Sequence, residues 1–404
     1  MKNSKKLAIL CALVYFISYV TRINYAASLA EIVADLGITK SLASIAVTGS
    51  FITYAIGQII SGIIGDKFDP RKVIAFGIVG TSAINISVFF LEDIGAINAL
   101  WCFNGLFQAL LWPPLLRFVS LCFDRKAYSR VVVLVSQASY VATILVYVTV
   151  PVIITVSNWH TVFAVCGALG ATFAVVWFFG TKNINLEESA PVKKTQETDL
   201  PEVQPLSLKK ILAIGMVPMV IASVSLGILK EGITTWMPSY VSEVFNLGSA
   251  ASILSTAILP VFNIIMLVII HRINRYVQNE SMGVMLFFGV ALTASVVLTA
   301  VFSKAVILDV VLMSLISSSM HGNSYYITCQ VPHRFLKYGR VSTVSGVFNA
   351  CIYLGAAIST YAFAGLTEAF GWNFTVISWG VIALLGVLLG LISYKPWKRF
   401  IYEK

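Results

Sequence analysis

The sequence predicts an all-α membrane protein whose twelve transmembrane helices form two pseudo-symmetric bundles of six. Three observations carry that expectation. Hydrophobic residues make up 58% of the chain and charged residues 11%, with a mean hydropathy of +0.87, so a soluble fold of this length would lack polar side chains for its surface. The apolar residues gather into twelve runs, approximately 7–30, 43–65, 73–91, 96–123, 131–156, 160–180, 211–241, 249–271, 281–302, 305–331, 341–366 and 373–394. A charged, proline-containing stretch over 181–207 separates six runs from six, which sets the domain organisation as 1–180, a flexible linker 181–207, and 208–404.

The first run begins after Lys2, Lys5 and Lys6 and could pass for a signal peptide, but Arg22 interrupts its apolar part and everything downstream also needs a membrane, so it is read as a retained helix. Arg22 lies sixteen residues beyond Lys6, about 24 Å of helical rise, past the midplane of a ~30 Å core. A charge at that depth costs at least ~2.5 kcal/mol and belongs on a bundle interior or an aqueous cavity. Tyr15, Ser18, Tyr19, Arg22 and Tyr25 share one helical stripe, and that stripe is expected to face such a cavity.

The second and third runs are joined by GIIGDKFDPRKV, in which Gly62 and Asp66 close one helix and Lys67, Arg71 and Lys72 follow. The Asp66 carboxylate is expected to bond those cations and the following helix N-terminus. In the fourth run Trp112-Pro113-Pro114 must disturb the helix, and Arg117 is expected to pair with Asp66 or to snorkel toward the membrane edge. Asn104, Gln108, Ser136, Gln137, Ser139, Tyr140 and Tyr147 are intramembrane hydrogen-bonding groups, divided between cavity lining and helix contacts. In the seventh run Lys230 shares a stripe with Ser223, Gly227 and Thr234, while Glu231 is rotated by about 100° onto a neighbouring face. His321, beside Asn323, Ser324 and Tyr325, is read first as a hydrogen-bonded helix residue and second as a cavity residue; His160 and His333 stand at loop junctions.

The halves echo each other. Asn158-Trp159 opens the sixth run and Gly371-Trp372 precedes the twelfth, an offset of 213, while Arg22 and Lys230 are offset by 208, the mark of a parallel repeat.

Placing both termini in the cytoplasm puts 23 of the 28 Lys and Arg on the inner side, Lys40 and Lys304 outside, and Arg22, Arg117 and Lys230 in the membrane. The net charge of +10 is therefore a matter of loop charges facing a cell (inner or plasma) membrane, and nucleic acid is not an expected partner. The six cysteines lie in apolar runs with no metal-ligand spacing and read as small core residues. No phosphate loop, no H-E-x-x-H and no cluster of membrane carboxylates is present, so neither an enzyme nor a cofactor or metal is expected.

The pattern Gly62-x-x-x-Asp66-Lys67-x-x-x-Arg71 resembles the loop signature of the major facilitator superfamily. Asp69-Pro70-Arg71, Trp112-Pro113-Pro114 with Arg117, Arg22, and LKEGITTWMPSY (Leu229 to Tyr240) resemble the organophosphate:phosphate antiporters, which include glycerol-3-phosphate and hexose-phosphate transporters. The resemblance implies a major facilitator fold that moves a phosphorylated small organic anion, of the sugar phosphate or glycerol phosphate type, by alternating access, with inorganic phosphate as counter-substrate and a monomer in the bilayer. It places Arg22 and Lys230 at the family's phosphate-binding positions, with Tyr19, Glu231, Ser139, Tyr140, Gln108 and His321 as further substrate-binding candidates. Gly62, Asp66, Lys67, Arg71 and Arg117 then form the gating motif. Two departures stand out: Lys230 replaces the arginine of the best-known members, and Ser139 stands where the glycerol-3-phosphate transporter has a histidine. Gly105, three residues before Gln108, replaces the arginine of many proton-coupled members and favours exchange over proton symport.

Alternatives stay open at two levels. Arg22 and Lys230 form an anion site, with Arg22 gripping two oxygens and Lys230 adding a point charge; or the cations are neutralised by Glu231 as a structural pair. At the level of the whole protein, the alternatives are a carrier of another organic anion or zwitterion, and a membrane sensor of sugar phosphate.

Overall fold

The computed structural model describes residues 2–184, 214–247, 258–274 and 276–402, and every element among them is helical. In chain order these are α1 (Lys2–Asp35), α2 (Lys40–Lys67), α3 (Pro70–Val88), α4 (Ile94–Ala109), α5 (Trp112–Cys122), α6 (Arg125–Val156) and α7 (Trp159–Thr181). There follow α8 (Met216–Phe245), α9 (Ile258–Ile273), α10 (Glu280–Ala300), α11 (Val306–Tyr325) and α12 (Val341–Tyr402). Eleven spans among the described residues are long and apolar enough to cross a membrane. The shorter apolar helix Ile258–Ile270 is the described part of the run expected at 249–271, whose beginning lies outside the described residues, as does most of the linker expected at 181–207.

Local chemistry sets the helix ends. Thr39, Asp93, Asp124, Asn158 and Asn279 cap α2, α4, α6, α7 and α10, each side chain accepting from a backbone N–H of the first turn. The fourth expected run breaks at Leu110 and Leu111, whose N–H groups donate to Phe107 and Gln108 in a tightened turn, because Pro113 and Pro114 cannot continue the ladder. The eleventh and twelfth runs form one helical path, α12, broken at Gly371, where φ is 76°, a conformation open to glycine and costly for residues with a Cβ.

The chain divides into two compact units: the described residues of Met1–Val203 with Phe335–Ala350, and those of Gln204–Arg334 with Cys351–Lys404. The start of α12 thus packs with the first unit, whereas the sequence reading assigned all of 208–404 to the second.

In the first unit Tyr25 stacks among Trp101 and Phe163, with ring centroids 5.0 and 6.1 Å away, in a cluster that includes Ile32, Val88 and Trp159. The repeat seen in the sequence has a physical counterpart inside each unit. The Trp159 indole donates to Asp35 at 2.7 Å and the Trp372 indole donates to Glu243 at 2.8 Å. Asp35 and Glu243 are offset by 208, the same as Arg22 and Lys230. Each bond gives a buried indole N–H its acceptor at the end of its unit's first helix. Trp159→Phe and Trp372→Phe are each expected to cost about 1 kcal/mol, read as a lowered melting temperature in detergent; an unchanged melt for both would mean the bonds contribute nothing.

Candidate functional site

Arg22 is half-buried on α1. Its guanidinium lies over the Tyr54 ring at 4.5 Å, with Phe51 at 5.4 Å and Tyr19 at 6.0 Å, so α1 and α2 together surround the charge with π-faces that favour a cation. Tyr15 continues the row, its ring 5.2 Å from Tyr19 and 4.6 Å from Trp112 at the start of α5. Phe51 and Tyr54 were invisible as site residues because they are ordinary aromatic residues of a membrane span, and the periodicity of α2 does not say which of its faces meets α1.

The stripe expected on α1 splits. Tyr15, Tyr19 and Arg22 remain together, but Tyr25 is buried in the aromatic cluster and its hydroxyl donates to the Ala43 carbonyl at 2.9 Å. Ser18 is buried and donates to Gln108 at 2.6 Å. Gln108, expected on the cavity, also donates to Thr21 and Thr81, both at 2.9 Å. Its amide is thus occupied by α1 and α3, and it joins helices inside the first unit. Thr81 donates to Asn104 at 2.5 Å, and Asn85 links Thr21, Thr81 and Asn24. A polar network therefore joins α1, α3 and α4 inside the unit, with Gln108, Asn104 and Asn85 bonded to their neighbours and the Asn24 Oδ1 atom buried without a hydrogen bond.

On α6 the buried Ser139 hydroxyl donates back to the Ser136 carbonyl at 2.7 Å, Tyr140 is half-buried, and Tyr147 is exposed. Gly105 has a packing reason: a Cβ there would collide with the Ser50 carbonyl and the Thr53 hydroxyl, so α2 and α4 cross too closely for an arginine.

In the second unit Lys230 Nζ lies 3.0 Å from Glu231 Oε1. Rotation by about 100° does not part them, because both side chains are long enough to meet across one position. The lysine therefore works beside a carboxylate. Thr234 donates to the Lys230 carbonyl at 2.8 Å and contacts Ser317 at 3.2 Å. His321 Nδ1 lies 3.1 Å from the Ser317 carbonyl, the hydrogen-bonded helix residue expected, close enough to feel the charges of Lys230 and Glu231. Ser223 and Gly227 do not share a cavity face with Lys230. Ser223 is buried and bonded to Met219, and a Cβ on Gly227 would strike the Ile352 carbonyl of α12.

The loop motif is a helix cap with an unexpected client. Asp66 accepts from the backbone N–H groups of Ser342 at 2.9 Å and Thr343 at 2.7 Å, so it caps α12 and not α3, to which it was assigned from the sequence. The α3 N-terminus is capped by Asp69, which accepts from Arg71 N at 2.9 Å, with Pro70 in the first turn. Asp69 also pairs with the Arg71 guanidinium at 2.7 Å. Burial acts to raise the Asp69 carboxyl, but the bonds from Arg71 and the Lys72 charge outweigh it and hold the group below its usual range. The other end of Arg71 reaches the carbonyls of Thr181 and Ile184 at 3.2 and 2.6 Å. Arg117 does not bond Asp66; it donates to the Gly65 and Phe68 carbonyls, where the negative end of α2 favours a cation. Lys67 is exposed in the same last turn.

The glycines of the motif are explained by the same contact. A Cβ on Gly62 would lie 2.8 Å from the Ser342 carbonyl and 2.9 Å from Thr343 Cα, and one on Gly346 would collide with the Gln58 carbonyl. The backbones of α2 and the start of α12 therefore touch, which is how a side chain as short as Asp66 reaches two N–H groups. The distance of Ser342 and Thr343 along the chain hid this partner from sequence reasoning.

The sequence model of the Major Facilitator Superfamily matches residues 11–360. A probable hexose phosphate transport protein of Chlamydia muridarum is 20% identical over 94% of this chain and 88% of its own. A D-galactonate transporter of Escherichia coli O6:H1 is 22% identical over 95% and 94%. A probable hexose phosphate transport protein of Chlamydia trachomatis reaches 32% identity over 106 residues, 26% of this chain, and the match spans about a quarter of that relative, 23% of its length. Among solved structures, the Major Facilitator Superfamily transporter FucP in the outward conformation superposes with a TM-score of 0.75 at 13% identity, covering 100% of both chains. With the family matched over most of its length and the fold shared throughout, the chain belongs to the Major Facilitator Superfamily: it is a multi-pass membrane transporter of a small molecule and not an enzyme.

Proposed function

We propose that the protein carries a phosphorylated small organic anion of the sugar phosphate or glycerol phosphate type by alternating access, in exchange for inorganic phosphate. The observation that carries this reading is Arg22, a permanently charged fork held deep in a membrane span by Tyr19, Phe51 and Tyr54. A guanidinium so placed offers paired donors that match two phosphate oxygens. In the second unit Lys230 supplies a compact charge that Glu231 moderates, and His321 lies in its electrostatic reach. Tyr19 and Tyr140 supply hydroxyls; Gln108 and Ser139, whose polar groups are engaged within the bundle, serve the frame. The full-length likeness to a probable hexose phosphate transport protein supports the phosphorylated substrate.

Vesicles loaded with phosphate and reconstituted with the protein should take up labelled phosphate or hexose phosphate without a proton gradient. Uptake indifferent to internal phosphate and abolished by an uncoupler would overturn exchange. The likeness to a D-galactonate transporter favours one other reading, a carrier of sugar carboxylates, which the same vesicles test by competition with galactonate.

The cation distribution supports a cell membrane location with both termini cytoplasmic. On a cysteine-free background, Thr195→Cys should react with an impermeant maleimide only from inside and Lys304→Cys only from outside. Labelling of Thr195→Cys in intact cells would reverse the assignment.

A further inference from the structure

The outer surface of the first unit carries a trough that the transport reading leaves unused. It lies along α3 and α7, holds about 450 Å³, and is floored by Ala75, Ala83, Ala171 and Ala174. Its small residues leave the space, and Val79, Val175, Phe178 and Phe179 wall it, all four exposed on the outside of the bundle. Ser82 is the one hydroxyl in the lining, and it donates to the Ile78 carbonyl at 2.7 Å, so nothing in the trough asks for water.

One end of the trough is positive. On α7, Lys182 follows Phe178 and Phe179 by one turn and its ammonium lies 5.1 Å from the centre of the Phe179 ring. On α3, Lys72 precedes Ala75 by three positions and so stands on the same face. The two helices run antiparallel here, as the Arg71 bonds to the Thr181 and Ile184 carbonyls show, which brings Lys72 and Lys182 to the same end. Both are exposed, and both sit at the edge of their spans, where lipid headgroups lie.

We propose that the α3–α7 trough binds an anionic phospholipid, with one acyl chain along the alanine floor and the headgroup phosphate between Lys72 and Lys182. Charge complementarity selects this occupant: an apolar trough alone takes any acyl chain, whereas two cations at its membrane-edge end select an anionic headgroup. The Asp69 carboxylate nearby is bound by Arg71 and does not cancel both lysines.

The test uses the full-length protein in native mass spectrometry after reconstitution with phosphatidylglycerol and phosphatidylcholine of identical chains. The parent should retain one phosphatidylglycerol in preference to phosphatidylcholine. At about 1 kcal/mol per cation, Lys72→Gln with Lys182→Gln should weaken that retention roughly 30-fold, and Ala171→Phe should displace the lipid with the charges intact. A folded double lysine variant, shown by an unchanged melt, keeps the test interpretable if Ala171→Phe fails to fold. Equal retention of both lipids, no retained lipid in the parent, or a dimer that Ala171→Phe disrupts would each overturn the proposal.

Discussion

Arg22→Lys should weaken phosphate and organophosphate binding by about 30-fold or more while leaving the protein folded. The change keeps the charge but removes the planar fork, and bonds to charged groups of this kind contribute ~1.5–3 kcal/mol. The aromatic surroundings at Tyr19, Phe51 and Tyr54 accept either cation, so the loss should fall on the ligand and not on the fold. Lys230→Ala should abolish exchange. Glu231→Gln distinguishes the anion-binding role from a structural ion pair, since freeing Lys230 from the carboxylate 3.0 Å away should tighten phosphate binding if the lysine meets the anion. The measurement is phosphate binding and counterflow for the three variants at matched membrane abundance. Parent-like exchange in Arg22→Lys and Lys230→Ala would remove both residues from the anion site and leave the structural pair as the better account.

The second large effect should come from the contact of α2 with the start of α12. Gly62→Val forces a side chain into the Ser342 carbonyl and Thr343 Cα, both backbone atoms that cannot rotate away, so α2 and α12 must separate and Asp66 must lose its two N–H partners. Asp66→Asn keeps the shape, removes the charge, and leaves one acceptor for two N–H groups, costing about 1 kcal/mol by comparison with other helix caps. Exchange should therefore fall steeply in Gly62→Val and partially in Asp66→Asn, while both reach the membrane. The direct readout is maleimide labelling of Thr343→Cys, which should rise in Gly62→Val; unchanged labelling would mean the contact does not hold the start of α12 in place.

Much of the architecture was legible because membrane spans advertise themselves. A hydrocarbon core demands long apolar helices with internally satisfied backbones, and the expected runs recur as helices among the described residues, the start of the run at 249–271 lying outside them, with the fourth divided at Pro113 and Pro114 and α12 broken at Gly371. Arg22 stood out in the sequence as a charge inside an apolar run, and the structure places it half-buried among Tyr19, Phe51 and Tyr54. The neighbours of these residues were not. Gln108 and Ser18 look like cavity residues on a helical wheel, yet each is satisfied inside the bundle, because one helix's periodicity names a face without naming what packs on it.

What the sequence determined by itself, then, is the membrane-spanning all-helical class, which follows from burial costs paid residue by residue along the chain. Tertiary structure alone decided the distant partners: Phe51 and Tyr54 around Arg22, and Ser342 with Thr343 on Asp66. Those contacts depend on which helix faces approach and how closely. Between α2 and the start of α12 the approach is set by Gly62 and Gly346, and between α2 and α4 by Gly105, where missing side chains let backbones meet. Hydrogen bonds and cation–π contacts act over a few ångströms, so a pattern that locates a residue only to a face and a depth cannot say which of them it makes.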